Sequence, residues 1–504
     1  MPFSSRSAAF LAALALAGCG VGPHYQRPKT DVPAAFSAAR PPAPRADIPP
    51  TGWWRAFGVA ELNRLIDQAA SSSPDVAAAA ARIIEADQAA RAAGSPLLPG
   101  ITGTVGQDFQ RTGNQGSSSF GALSNSQAKG SMANSGALAG LLGGGSHYTD
   151  TRIYSAELNA SYQVDFWGAN LDALRAAQAS AQFSRFDAQT VWLTTSSAIA
   201  TTYFQAAGFR DRLAIAEANL KSASDVLDAF RGRLTVGTAS LLDVSQQEAL
   251  VAGTRAQIPS LRSQYEQERI ALATLVGLPP EKIEIDPAPL VKTPLPAIEP
   301  GLPSDLLRRR PDVEAAEAQL IAQNQTVRQD VAALFPALQL TTSGGLSSLF
   351  LSSITGPGTV VASLMTQITQ TVFDNGLKEG TLGQAKGKYR ELAADYAKAV
   401  LQALQDTETA LTQAQYAAEQ EALEAEAVRT AQRSLDIARA QLQAGTVDIV
   451  TVLNTQTTLF NDEDALAQVR IARFEAIVSL YKALGGGWSG PVLAAPPHTV
   501  YPPS

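Results

Sequence analysis

The chain has 504 residues, 39 basic and 46 acidic, for a formal charge of -7, with 17% charged and 7% aromatic side chains. That balance lacks the basic excess that phosphate neutralisation requires and excludes a nucleic-acid binder. Long tracts of alanine, glutamine and leucine favour extended helices packed through small side chains, and the low aromatic share argues against a large aromatic core.

The first element is a targeting signal. Arg6 supplies a small positive charge, and Ala8 to Ala17 form an apolar stretch too short for a bilayer-spanning helix of roughly 20 residues. Leu16-Ala17-Gly18-Cys19 follows, with the only cysteine of the chain. This tetrapeptide resembles the lipobox of bacterial lipoproteins. The resemblance implies that residues 1–18 are removed and that Cys19 becomes an acylated first residue, where two or more acyl chains give stable anchoring. Gly20 stands where an aspartate would imply inner-membrane retention, so the outer membrane is expected. Residues 19–60 read as a lipidated tether, extended through the proline-rich stretch from Pro23 to Pro50. No later segment is long and apolar enough for a spanning helix, so strands are expected to make any crossing.

The body is a tandem repeat. Pro74-Asp75-Val76 opens a helical pattern that closes at Leu97-Leu98-Pro99, and Pro311-Asp312-Val313 opens one that closes at Leu334-Phe335-Pro336, both ends displaced by 237 residues. Leu234-Thr235-Val236-Gly237-Thr238 corresponds to Leu442-Gln443-Ala444-Gly445-Thr446, Val244 to Val452 and Gly277 to Gly485, all displaced by 208. The smaller displacement puts about 30 extra residues between Pro99 and Gly237, where residues 111–148 are rich in Gly, Ser, Asn and Ala and read as a flexible loop. The first repeat is assigned to residues 61–290, a linker to 291–303, the second repeat to 304–487 and a Pro-rich tail to 488–504.

Each repeat reads as helix, strand, loop, strand, very long helix, turn, long helix. Opening helices are expected over 62–93 and 304–333. Proline-free stretches from Gly168 to about Leu234 and from Gly376 to about Leu442 predict helices on the order of 100 Å long at 1.5 Å per residue. Such lengths point to a coiled coil or helical tube. Returning helices are expected over 240–275 and 448–484, giving antiparallel hairpins, with Pro259 expected to bend the first.

From Tyr154 to Phe166 apolar and polar residues alternate, with aromatics at both ends of the apolar face. That is the dyad pattern of a transmembrane β-strand, although a soluble sandwich edge would share it. Asp108, Glu157 and Asp165 fall on the polar, lumen-type face; further strands are expected over Ile101 to Phe109, where Ile101, Val105 and Phe109 oppose Thr102, Thr104 and Asp108, and over Leu338 to Gly345 and Val360 to Val372. Four strands cannot close a wall, and an open edge in lipid costs several kcal/mol per unsatisfied backbone group, so self-association is required. Two copies give about eight strands and three about twelve, both allowed counts.

Repeats, hairpins and lipobox together resemble the TolC-like outer-membrane factor family, most closely its lipoprotein branch serving tripartite efflux pumps of the resistance-nodulation-division type. Trp53-Trp54-Arg55-Ala56-Phe57 and Leu307-Arg308-Arg309-Arg310-Pro311-Asp312-Val313 are similar to that family's entry segments. The resemblance implies an α+β membrane protein: a trimeric twelve-stranded β-barrel, four strands per protomer, continuing into a long α-helical coiled-coil barrel. It implies a passive exit duct for small molecules in the outer membrane of a Gram-negative bacterium, working as a homotrimer with a periplasmic adaptor and an inner-membrane pump. Val236, Gly237, Thr238, Ala444, Gly445 and Thr446 then lie at adaptor-contacting tips, and Val450, Thr451 and Asn454 on a periplasmic gate, with Asp243 and Asp448 nearby. The family commonly carries aspartates where Thr451 and Asn454 stand. Their neutrality implies a gate held by Val450 packing and hydrogen bonds, with weaker cation block. Gly237 and Gly445 equally suit helix termination, and Asp243 and Asp448 equally suit helix starts.

An enzyme is not expected. His24, His147 and His498 lie in the tether, loop and tail, with no metal spacing or nucleophile motif. No phosphate-binding Gly-rich Lys motif occurs, so energy must come from the pump. No cofactor is expected beyond the lipid on Cys19. The alternatives are a type I protein secretion duct and a non-conducting periplasmic coiled-coil lipoprotein.

Overall fold

Alternation of side chains commits four segments to one sheet, because only a pleated strand puts every second residue on the same face. In the computed structural model, which describes residues 21–37, 52–114, 147–296 and 308–486, the strands are β1 (Gly100–Asn114), β2 (His147–Val164), β3 (Ala337–Ser348) and β4 (Val360–Thr369). They pair antiparallel in the order β1-β2-β3-β4, leaving β1 and β4 as edges. The sheet belongs to one compact unit, which holds residues 93–173 and 328–380; a second unit holds most of the helices.

The register fixes two faces. Ile101, Ala160, Thr342 and Leu364 form one rung of the outer, mainly apolar face, and Thr102, Asn159, Ser343 and Ser363 one rung of the polar face. Contacts confirm the sorting: Asn159 Nδ2 donates to Thr104 Oγ1 at 3.5 Å and the Ser343 and Ser363 hydroxyls lie 2.8 Å apart. Ile101, Val105, Leu158, Leu364 and Ile368 are bare on the apolar face, as a lipid-facing surface requires.

Strand ends depart from the expected ones. β2 begins within the stretch read as loop and stops before Asp165, and β4 stops before Val372. Backbone pairing with a neighbour, not side-chain polarity, sets where a strand ends. Beyond β2, Asp165 accepts from the backbone N–H groups of Asn170 and Leu171 at 3.1 and 2.8 Å. Asp374 does the same for Gly376 and Lys378 at 3.1 and 3.2 Å. Both aspartates therefore start helices, each beside a glycine of positive φ, Gly168 or Gly376. Trp167 stacks on Phe335 at 4.6 Å and donates to Pro336 O at 2.9 Å, while Arg328 and Asp172 form a buried ion pair at 3.1 Å.

The helices follow the repeat. They are α1 (Ala60–Ser72), α2 (Pro74–Ala93), α3 (Ala169–Thr235), α4 (Leu241–Val276), α5 (Pro311–Ala332), α6 (Leu377–Gln443) and α7 (Ile449–Ala483). The first opening helix is split at Ser73, whose ψ of 126° is the extended conformation that a following proline imposes. α3 and α6 have 67 residues each, which corresponds to about 100 Å. α4 runs unbroken through Pro259.

Within the second unit, the expectation of no large aromatic core is overturned. Trp53, Trp54 and Phe57 sit with Tyr203, Phe204, Phe474 and Tyr481 in one buried cluster, and Trp53 stacks on Tyr481 at 5.1 Å. The few aromatics are concentrated, so a chain-wide percentage hid them. Two glycines equivalent in the repeat seal this region. A Cβ on Gly277 would lie 2.1 Å from Ser72 O, and one on Gly485 would lie 2.1 Å from Arg309 O. The stretch read as a tether is also partly docked. Tyr25 Oη donates to Glu317 at 2.9 Å, Arg27 pairs with the same carboxylate, and Phe36 is buried against Leu480 and Leu484. Burial and the Glu317 carboxylate both raise the Tyr25 phenol above its ordinary value, in keeping with its role as the donor of this bond.

Candidate functional site

The two hairpin ends are built from one turn used twice. At the end of α3, Thr238 N donates to Arg233 O at 2.9 Å and Gly237 N to Leu234 O at 3.1 Å; at the end of α6, Thr446 N donates to Gln441 O at 2.9 Å and Gly445 N to Leu442 O at 3.2 Å. This paired pattern around a left-handed glycine is the Schellman terminator, and Gly237 and Gly445 have φ of 76° and 73°. The threonine hydroxyls repeat it, each donating to the same carbonyl as its own N–H at 3.2 and 3.1 Å.

The next helices start with caps. Ser240 and Asp243 form a capping box: Asp243 N donates to Ser240 Oγ at 3.2 Å and Ser240 N to Asp243 Oδ2 at 2.8 Å. Asp448 caps α7, accepting from Thr451 N at 3.0 Å and Thr451 Oγ1 at 2.8 Å. Those bonds, with backbone donors, hold the exposed Asp448 carboxyl below its ordinary value. Both acids are therefore engaged at helix starts. Thr451 spends its hydroxyl on Asp448, while Val450 and Asn454 are exposed on α7.

The two ends differ in what they show to the surroundings. Val236, Leu241 and Leu242 are 73%, 70% and 65% exposed. Ile449, the repeat partner of Leu241, is 5% exposed in a cluster with Val244, Val251 and Phe230. Sequence reasoning passed over Leu241 and Leu242. The available signal was two leucines in the first turn of a capped helix, where polar residues are usual.

Of the three residues expected in the lumen, Asp108 and Glu157 lie on the polar face of the sheet and Asp165 at the start of α3. The hairpin-end residues and the sheet residues belong to different units. Cys19, His498 and most of the expected loop fall outside the described residues. Among the described residues no helix is long and apolar enough to cross a membrane, and no cluster of His, Cys, Asp and Glu suits a metal.

A family model described as outer membrane efflux protein matches residues 65–278 and 302–486. The chain is similar to the pyoverdine export outer membrane protein OpmQ of Pseudomonas aeruginosa, 37% identical over 437 residues, 86% of this chain and 87% of the relative. It is 28% identical over 485 residues to the cation efflux system protein CusC of Escherichia coli, covering 95% of this chain and 98% of the relative. Among solved structures, the outer-membrane channel OprN superposes with a TM-score of 0.82 at 26% identity, covering 93% of this chain and 100% of that one. Two matched segments that coincide with the two repeats, and a four-stranded contribution that needs sister subunits, agree with these likenesses. The chain therefore belongs to the outer membrane efflux protein family, as a subunit of the trimeric outer-membrane channel that forms the exit duct of a tripartite efflux system, not an enzyme.

Proposed function

We propose that this duct receives small molecules from an inner-membrane pump of the resistance-nodulation-division type and that a periplasmic adaptor grips it at the two hairpin ends. The observation that carries the reading is the doubled, glycine-terminated and acid-capped turn, with Val236, Leu241 and Leu242 bare on one copy. Apolar side chains on a rigid, capped turn suit a partner that buries them. The contact surface comprises Val236, Gly237, Thr238, Ala444, Gly445 and Thr446, enlarged by Leu241 and Leu242. Replacing both leucines by aspartate is expected to abolish adaptor co-purification while the trimer persists; undiminished adaptor recovery would sink the assignment.

The gate is formed by Val450, Thr451 and Asn454, held by packing and hydrogen bonds rather than by an acidic ring. Asn454→Asp is expected to introduce block by divalent cations in single-channel recordings, and an unchanged conductance in magnesium would remove this gate. Cys19 carries the lipid anchor, supported by the lipobox-like Leu16-Ala17-Gly18-Cys19. Cargo selection belongs to the pump: the relatives' names attach one architecture to pyoverdine export and to cation efflux.

A further inference from the structure

The two faces of the sheet handle charge differently. On the apolar face, Asp150 is paired with Arg111 across β1 and β2, with contacts of 2.8 and 3.3 Å, and the Arg152 guanidinium lies 5.8 Å from the centre of the Phe109 ring. Those charges are compensated or stacked. On the polar face Asp108 and Glu157 are the charged side chains among the described residues, and both are acids. Neither meets a cation, a hydrogen-bond donor or another charge among the described residues.

Glu157 has a prepared place. It stands in register between Thr104 on β1 and Gly345 on β3. A Cβ on Gly345 would come 2.8 Å from Glu157 Cγ and 2.3 Å from Ala156 O. The glycine thus leaves space for the Glu157 stem to lie over β3, and any larger residue would displace it. The closed trimer repeats this arrangement three times at one level of the wall, with no lysine or arginine on that face among the described residues to offset it. A low-dielectric wall carrying one sign of charge concentrates counter-ions and repels co-ions. At the tube end, by contrast, Thr451 and Asn454 are neutral, and Asp243 and Asp448 are engaged as helix caps.

We propose that Glu157, supported by Asp108, is the charge-selectivity filter of this channel, so that cations, zwitterions and neutral solutes pass the barrel more readily than anions. The proposal rests on the channel reading above and moves the selective charge from the gate, where the family commonly keeps it, to the membrane-embedded sheet.

The test is the reversal potential of the full-length trimer in a planar bilayer under a KCl gradient. The native channel is expected to prefer potassium over chloride. Glu157→Gln should lower the permeability ratio about twofold or more, Glu157→Gln with Asp108→Asn should bring it close to unity, and Glu157→Lys should invert it. The differences should shrink at 1 M salt, where the screening length falls to about 3 Å. If the lysine variant does not assemble, Ser155→Asp, which adds a carboxylate two residues along the same face, must raise the ratio. An unchanged ratio in the assembled double variant overturns the filter, as does a ratio that follows Asp243→Asn or Asp448→Asn instead. An assembled trimer that passes no current under any of these conditions overturns the duct and the filter together.

Discussion

Glycines separate residues that merely bend the chain from residues that let two segments touch. Gly237 and Gly445 need only a left-handed backbone, since an added Cβ on either would meet nothing. Alanine there is expected to cost about 1–2 kcal/mol. Gly277 and Gly485 combine positive φ with a carbonyl oxygen 2.1 Å from the missing Cβ. Gly485→Ala should therefore destabilise by roughly 3 kcal/mol or more, measurable as a lower thermal midpoint than that of Gly445→Ala. The repeat spacing marked all four glycines, but the carbonyls of Ser72 and Arg309 lie far away in sequence and left no mark. Asp448 gives a pH prediction at the same scale. Its carboxyl titrates below the ordinary value in the folded chain, so its capping contribution is present above the unfolded value and is lost as pH falls through the folded one. Amide exchange at Thr451 should accelerate only below about pH 4, and Asp448→Asn, which keeps an acceptor, should flatten that response.

Among the elements, long helices were the most legible. The absence of proline from the two longest and the glycines at the turns set boundaries within a residue or two of those observed. Pro259, expected to bend the first returning helix, is exposed, and α4 continues on both sides of it. Pro259→Ala should restore one backbone hydrogen bond and stabilise α4 by about 2–3 kcal/mol, seen as slower hydrogen exchange around residues 252–260. Strand ends were less legible, because the backbone pairs of Thr112 to Asn114 with His147 to Thr149 carry no alternation signal. The strap at residues 21–37 was hidden for a related reason. Prolines announce extended chain, but nothing local announces that Tyr25 and Arg27 will meet Glu317 or that Phe36 will enter a helix-packed cluster.

For the whole molecule, the sequence required an oligomer without setting its size, since hydrogen bonding asks only that β1 and β4 find partners. Four strands per subunit, all antiparallel, put β4 of one subunit antiparallel to β1 of the next, so an even wall closes without an odd seam. The faces should then respond oppositely to charge. Leu364→Arg, on the lipid side, is expected to cost about 2–4 kcal/mol near the bilayer centre and to reduce heat-resistant trimer in isolated membranes. Ser363→Arg, one residue away on the polar side, should assemble normally.

The first hairpin is taller than the second: seven β1–β2 rungs, from Asp108↔Ile153 to Asn114↔His147, continue past the last β2–β3 rung at Tyr154↔Ser348, an overhang of about 24 Å. Bare strand edges cannot sit in hydrocarbon, so this ribbon must rise beyond the headgroups. In the trimer three such ribbons are expected outside the bilayer, where an antibody or an epitope tag grafted at Gln110 or Thr151 can be tested for access on intact cells.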